Sequence, residues 1–179
     1  MSERASRIRR VASADVGRIC ELVRDLAEYE RAPTEATMTE QQLDAALFGP
    51  RPSLFGHVAE VDGSLVGFAV WFRNFSTWRG RHGIYLEDLF VAPEHRGSGI
   101  GKALLTALAR ECMDHGYPRL EWSVLDWNAP SIAFYRSLGA IAMEGWTVFR
   151  LTDDALAALA TSTVHSALEE GEFRLRREQ

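Results

Sequence analysis

The sequence predicts a mixed α/β domain, a single sheet with helices packed on its faces. Three observations carry this. Two strand-like runs flank Asp62-Gly63, a strong signal for a two-residue hairpin. A third run, Ile84 to Val91, leads through glycines at 97, 99 and 101 into a periodic helix. Antiparallel hairpins therefore precede a β–loop–α–β unit, an order that one sheet with helices on both faces accommodates.

Each element has its own local cause. Residues 1–6 read as a loose tail and Arg7 to Val11 as a first strand. Ser13 is a candidate N-cap for a helix in which Val16, Ile19, Cys20, Val23 and Leu26 recur at helical spacing. This helix should end near Tyr29 and Glu30, because Ala32-Pro33 follows. Thr39 and Gln42 make a capping box for a short helix through Leu47, broken at Phe48-Gly49-Pro50. Phe55 to Val61 and Leu65 to Phe72 are the hairpin strands. Ile84 to Val91 is apolar apart from Glu87 and Asp88. Ile100, Leu104, Leu105, Leu108 and Met113 mark a helix ending at His115-Gly116. Leu120 to Leu125 and Trp146 to Leu151 read as strands, Asn128 to Leu138 and Asp153 to Ala160 as helices, with Pro130 tolerated in a first turn. The expected organisation is a tail over 1–6, a domain over 7–160 and a tail over 161–179 that is either solvated or docked.

Composition narrows the class. The chain has 179 residues, a suitable length for one domain, and 46% hydrophobic residues, enough to build a core. Lys and Arg total 20 against 25 Asp and Glu, a net charge of −5, so a broad nucleic-acid footprint is not expected. Cys20 and Cys112 are too few for a disulfide framework and sit in apolar helical patterns, as buried thiols do. No apolar stretch is long enough for a membrane span and no secretory signal is visible, which makes the cytoplasm the expected compartment. Histidines at 57, 82, 95, 115 and 165 show no paired ligand spacing, so no metal is expected.

The chemistry starts at Arg96-Gly97-Ser98-Gly99-Ile100-Gly101-Lys102. Glycines let several backbone N–H groups converge on one anion, and the N-terminus of the following helix adds partial positive charge. A phosphate is the physical expectation, although such a turn can also be purely structural. A Walker loop would need glycine at Arg96 and a hydroxyl at Ala103; a dinucleotide fingerprint would need glycine at Lys102; both fail.

The run resembles the R/Q-x-x-G-x-G/A signature of the GNAT superfamily of N-acetyltransferases, with Arg96, Gly99 and Gly101 at the three fixed positions. Further segments narrow the resemblance to the diamine acetyltransferase branch: Tyr85 to Val91, Trp127 to Tyr135, and Glu144-Gly145-Trp146. It covers Arg7 to about Ala160 and implies the GNAT acyltransferase fold, a mostly antiparallel sheet splayed at the cofactor site. It also implies acetyl-CoA as cosubstrate. The pyrophosphate would lie on Arg96, Gly97, Ser98, Gly99, Ile100, Gly101 and Lys102, and the pantetheine on the backbone of Leu89, Phe90 and Val91. Asn128, Ser131 and Tyr135 would make further cofactor contacts; Asn128 is also a natural N-cap.

Acetyl transfer to an amine needs a proton acceptor, donors for the oxyanion and a proton for the departing thiolate. The resemblance assigns Glu87 as a water-mediated general base and Tyr135 as general acid, in a direct attack within a ternary complex. Without the resemblance, Glu87 reads equally as a solvated carboxylate and Tyr135 as an amphipathic core residue. On a regular strand Glu87 and Asp88 face opposite ways unless a bulge intervenes, and the resemblance implies a bulge near this point.

For the acceptor, the resemblance implies a site lined by Tyr29, Glu30, Ser76, Thr77, Trp78, Glu87, Asp88, Glu144 and Trp146. Glu144 and Trp146 would reach the neighbouring subunit, so a homodimer is implied. A carboxylate-rich site suits a small substrate with a second cationic group. Ser76 stands where polyamine enzymes of the branch carry an aspartate, and its neutrality suits a lysine-like or thialysine-like amine with a carboxylate of its own. A polyamine acetyltransferase, a protein N-acetyltransferase and a non-catalytic acyl-CoA-binding module are the alternatives.

Overall fold

Asp62 and Gly63 turn the chain back with φ of 50° and 80°, the paired left-handed conformation that matches the twist of a two-residue hairpin. They join β2 (Phe55–Val61) to β3 (Ser64–Ser76), which pair antiparallel. β1 (Ser6–Arg10) adds to the outer side of β2, and β4 (Arg81–Val91) returns along β3. β5 (Leu120–Glu121) lies parallel to β4 and pairs only with Ile84 and Tyr85. The computed structural model describes residues 6–162; residues 1–5 and 163–179, which hold most of both expected tails, lie outside the described residues. Among the described residues the sheet has five strands in the order β1-β2-β3-β4-β5.

Helices cover both faces. α1 (Val16–Tyr29) and α2 (Glu40–Phe48) bury Val16, Ile19, Leu22, Leu43 and Leu47 against Val58, Phe68, Val70 and Phe90. Val58 faces this core, so its neighbour His57 faces the other side. There Glu111 of α3 (Ile100–Asp114) meets Arg10 at 2.5 Å and His57 at 3.6 Å. Burial holds the His57 imidazole neutral, with its pKa pushed down to about 4. Leu104, Leu105, Leu108 and Cys112 are buried along the same helix, and Cys20 and Cys112 are both free, buried thiols.

The α2 capping box forms as expected: the Gln42 N–H donates to Thr39 Oγ1 at 3.3 Å and the Thr39 N–H to Gln42 Oε1 at 2.9 Å. The start of α1 differs. Ser13 opens a short 3-10 turn instead of capping the helix, and its hydroxyl is spent on Asp44. Asp15 reaches back to the start of that turn, accepting the Ala12 N–H at 2.8 Å while held by both terminal nitrogens of Arg9 at 2.6 and 2.9 Å. That pairing keeps the Asp15 carboxyl below the ordinary carboxylate range.

The chain divides into two compact units, the first through Asn128 and the second from Ala129. The second contains α4 (Ala129–Ser137) and α5 (Asp153–Thr161). The strand expected over Trp146 to Leu151 is not formed; residues 140–151 carry no helix or strand. β-rich composition favours a strand only where a partner edge is available, and none pairs with this segment among the described residues.

Candidate active site

The register between β3 and β4 builds the site. Val70 pairs with Asp88 and Trp71 with Leu86, so Glu87 is an extra residue with no partner on β3. This is a β-bulge, which bends a strand and breaks its alternation. Directly paired residues share a face. Leu86 therefore lies on the α3 face with Trp71, and Asp88 on the α1 face with Val70, although the two are only two positions apart. Without the bulge they would point the same way.

The bulge coincides with the opening of the sheet. β5 accompanies β4 only as far as Tyr85, so from Leu86 to Val91 the outer edge of β4 has no strand partner among the described residues. Amides along Leu89 to Val91 that do not face β3 are left on this edge. The edge runs into the glycine turn, where Gly97 and Gly99 have φ of 75° and 86°. Any other residue would be strained there, and a Cβ at either position would project into open space. No side chain caps α3; Ala103 is the first residue of the helix to donate back to the turn, to Gly99 O at 2.9 Å. The amides of Ile100, Gly101 and Lys102 belong to the first helical turn, whose N–H groups have no intrahelical acceptor. The turn thus fits a bound pyrophosphate.

Arg96 is anchored by the protein itself. Its Nε donates to the Val91 carbonyl at 2.9 Å, and its guanidinium lies 4.7 Å from the Tyr29 ring centroid and 5.2 Å from that of Phe90. Tyr29 in turn donates its hydroxyl to Asn128 Oδ1 at 3.0 Å. One side chain at the end of α1 therefore contacts both the glycine-turn arginine and the asparagine before α4.

A cluster of carboxylates lies alongside. Asp88 is half-buried, and burial raises its pKa to about 6, with the charges of Glu87 and Glu30 pushing in the same direction. Burial also raises the carboxyl of Glu30. Two of the other three expected carboxylates are thus close enough to act on Asp88. The fourth, Glu144, lies with Trp146, Ser131 and Tyr135 in the second unit. Within the first unit, Ser76, Thr77 and Trp78 are not brought to the cluster. They form the β3–β4 hairpin tip, six residues along β4 from Glu87, about 20 Å by strand rise. Ser76 is spent on that tip, its hydroxyl accepting the Arg79 N–H at 3.3 Å.

Two residues here were not among the expected site residues. The Arg31 guanidinium lies 4.9 Å from the Trp127 ring centroid, and that ring is 5.9 Å from Tyr29. The available signal was positional: Arg31 follows the helix end and Trp127 precedes Asn128.

The half-buried Asp88 carboxyl has a consequence for stability. Between its ordinary pKa of 3.8 and about 6, the folded chain holds this proton more tightly than the unfolded chain. The associated stability is complete below 3.8 and is lost as pH rises through about 6. Asp88→Asn removes the ionisable group, so at pH 8 the variant should unfold later than wild type by on the order of 2 kcal/mol. Denaturant melts at pH 8 and pH 4 measure this; an advantage that does not shrink at pH 4 contradicts the assignment.

An open strand edge, a helix N-terminus behind a glycine turn and a carboxylate cluster are parts that an acyl-CoA-dependent amine acyltransferase could use. Residues 19–140 match the Acetyltransferase (GNAT) family. The chain is similar to thialysine N-epsilon-acetyltransferase of Bos taurus, 38% identical over 164 residues that span 86% of this chain and 96% of the relative. L-ornithine N5-acetyltransferase NATA1 of Arabidopsis thaliana is 30% identical over 86% of this chain and 87% of its own. Among solved structures, an integron cassette protein of V. cholerae superposes with a TM-score of 0.74 at 27% identity, covering 88% of this chain and 98% of that one. The chain belongs to the GNAT family of acetyltransferases. It is an enzyme of the acyltransferase class that transfers acetyl to an amine, with acetyl-CoA the cosubstrate of the family.

Among the described residues, no helix is long and apolar enough to cross a membrane, and no group of three His, Cys, Asp or Glu is placed to hold a metal ion.

Proposed function

We propose that the acceptor is the side-chain amine of a small cationic molecule, lysine-like or thialysine-like, or a diamine. The observation that carries this is the cluster of Glu30, Glu87 and Asp88 beside the open edge of β4. A primary ammonium with a pKa of about 10.4 is drawn to such a cluster and needs a carboxylate to remove its proton. The names of the relatives support the same class, since thialysine and ornithine are both amino acids with a side-chain amine.

Glu87 takes the ammonium proton through a water, which its exposed position on the bulge allows. Free amides along Leu89 to Val91 hold the pantetheine arm and polarise the thioester carbonyl. Gly97 to Lys102 carry the pyrophosphate, with Arg96, Asn128 and Ser131 completing the cosubstrate contacts. Tyr135 returns a proton to the thiolate as the carbon–sulfur bond breaks. Tyr29, Glu30 and Asp88 line the acceptor side.

The chain acts as a homodimer in this reading. The distance of Ser76, Thr77 and Trp78 from the cluster of their own chain suits a contribution to a second copy's site, and Glu144 and Trp146 would act the same way. A polyamine acceptor is the second reading. The absence of a carboxylate at Ser76 favours the shorter amino-acid substrate.

Thiol release from acetyl-CoA, measured across lysine analogues, diamines and polyamines, tests this. Turnover should be fastest with the lysine analogues. Higher kcat/KM on spermidine moves the assignment to polyamines, and turnover only with peptide amines overturns it. Light scattering should give twice the monomer mass; a monomeric active enzyme removes the dimer.

A further inference from the structure

The C-terminus of α1 ends in an arrangement that glycine would normally complete. The Ala32 N–H reaches back to the Ala27 carbonyl at 2.9 Å and the Arg31 N–H to the Glu28 carbonyl at 3.1 Å, the paired bonds of a Schellman motif. The residue that must be left-handed in this motif is Arg31, with φ of 63°. A side chain there is strained relative to glycine. The position therefore carries an arginine against the local backbone preference.

What the arginine does with its charge is equally specific. Its guanidinium stacks on Trp127, an indole that remains 45% exposed, and makes no ion pair with any described carboxylate. The guanidinium is thus placed by the indole face rather than by a described carboxylate. Glu30, one residue before Arg31, is electrostatically coupled to Asp88, which sets Arg31 next to the carboxylate cluster along the chain. A cation beside the Glu30 end of the carboxylate cluster would repel a simple diamine. It complements a substrate that carries an anion as well as an amine.

We propose that Arg31, braced on Trp127, receives the α-carboxylate of an amino-acid acceptor, with Glu30 beside it receiving the α-ammonium. The pair reads the zwitterionic head group while the side-chain amine extends toward Glu87 and Asp88. A planar guanidinium matches a carboxylate with two parallel N–H···O bonds. This inference rests on the small-amine reading above and extends it by naming the residue that separates amino acids from decarboxylated diamines.

The test compares lysine with 1,5-diaminopentane, which is lysine without its carboxylate, and ornithine with 1,4-diaminobutane. Wild type should favour the amino acid within each pair. In Arg31→Gly the ratio of kcat/KM for amino acid over diamine should fall about tenfold, the size of one charge-assisted contact. Arg31→Lys should recover part of the ratio. Because glycine suits the left-handed position, Arg31→Gly should melt no lower than wild type, which separates recognition from folding. A loss shared equally by both members of a pair, or a ratio that does not move, overturns the inference. Wild-type turnover with no preference for the amino acid overturns it while leaving the small-amine reading intact; no turnover with either member overturns both.

Discussion

Tyr135→Phe is expected to lower kcat about 10²- to 10⁴-fold, the usual range for loss of one proton-transfer group. The KM for acetyl-CoA should hold, because the substitution removes one oxygen and keeps the ring. The reason lies in relative acidity. A thiolate whose conjugate acid has a pKa of about 8.5 leaves more readily when a phenol of pKa about 10 sits within reach to protonate it, and the phenolate then recovers its proton from water. Tyr135 belongs to α4 (Ala129–Ser137), and its carbonyl accepts the Leu138 and Ala140 N–H groups that close that helix. Those bonds use the backbone, which the substitution leaves unchanged. Steady-state kinetics with varied acetyl-CoA separate the two effects. Wild-type kcat removes Tyr135 from the proton-transfer role; a raised KM with kcat intact makes it a binding residue.

Glu87→Gln should cost a similar 10²- to 10⁴-fold in kcat/KM at pH 7. Glutamine preserves the shape of the bulge and accepts no proton. The variant then depends on acceptor molecules that are already neutral, on the order of a thousandth of a simple primary amine at pH 7. Its rate should climb about tenfold per pH unit toward the pKa of the amine, so the deficit narrows as pH rises. Wild type should instead lose activity as pH falls through about 6, where Asp88, beside Glu87, takes up its proton. A pH–rate profile identical in wild type and variant contradicts the assignment of Glu87 as base.

Much of the architecture was legible because its causes are local. The capping box at Thr39, the paired left-handed turn at Asp62-Gly63 and the glycines at 97 and 99 each act within a few residues. Periodicity located α1 and α3 because one face of each helix must be apolar wherever it packs. The glycine turn also showed its backbone form, since its left-handed residues at 97 and 99 call for glycine.

Other features depend on partners far along the chain. Read as a regular strand, β4 puts Leu86, Asp88 and Phe90 on one face; only the register against β3 shows the extra residue at Glu87. The resemblance implied a bulge near this point, whereas alternation alone pointed away from one. The short β5 has the same origin: Leu120 to Leu125 reads as a full strand, but pairing stops at Tyr85, just before the bulge bends β4. Trp146 to Leu151 has strand composition and no partner edge among the described residues. Ser13 lost its capping role because its hydroxyl reaches Asp44, thirty-one positions away, and the turn it opens is closed by Asp15 under the hold of Arg9.

By itself, then, the sequence determined the helices, the hairpin and the glycine turn, all of which follow from short-range geometry and side-chain chemistry. Tertiary structure alone decided which of them meet. Tyr29 and Asn128 are 99 positions apart and share a hydrogen bond at 3.0 Å. Arg96 leans on Tyr29, and Arg31 lies on Trp127, because the end of α1 is carried over the edge of β4. No local pattern encodes such contacts. They arise where separate apolar faces must share one core, and the charged groups at the rim are brought together by that packing.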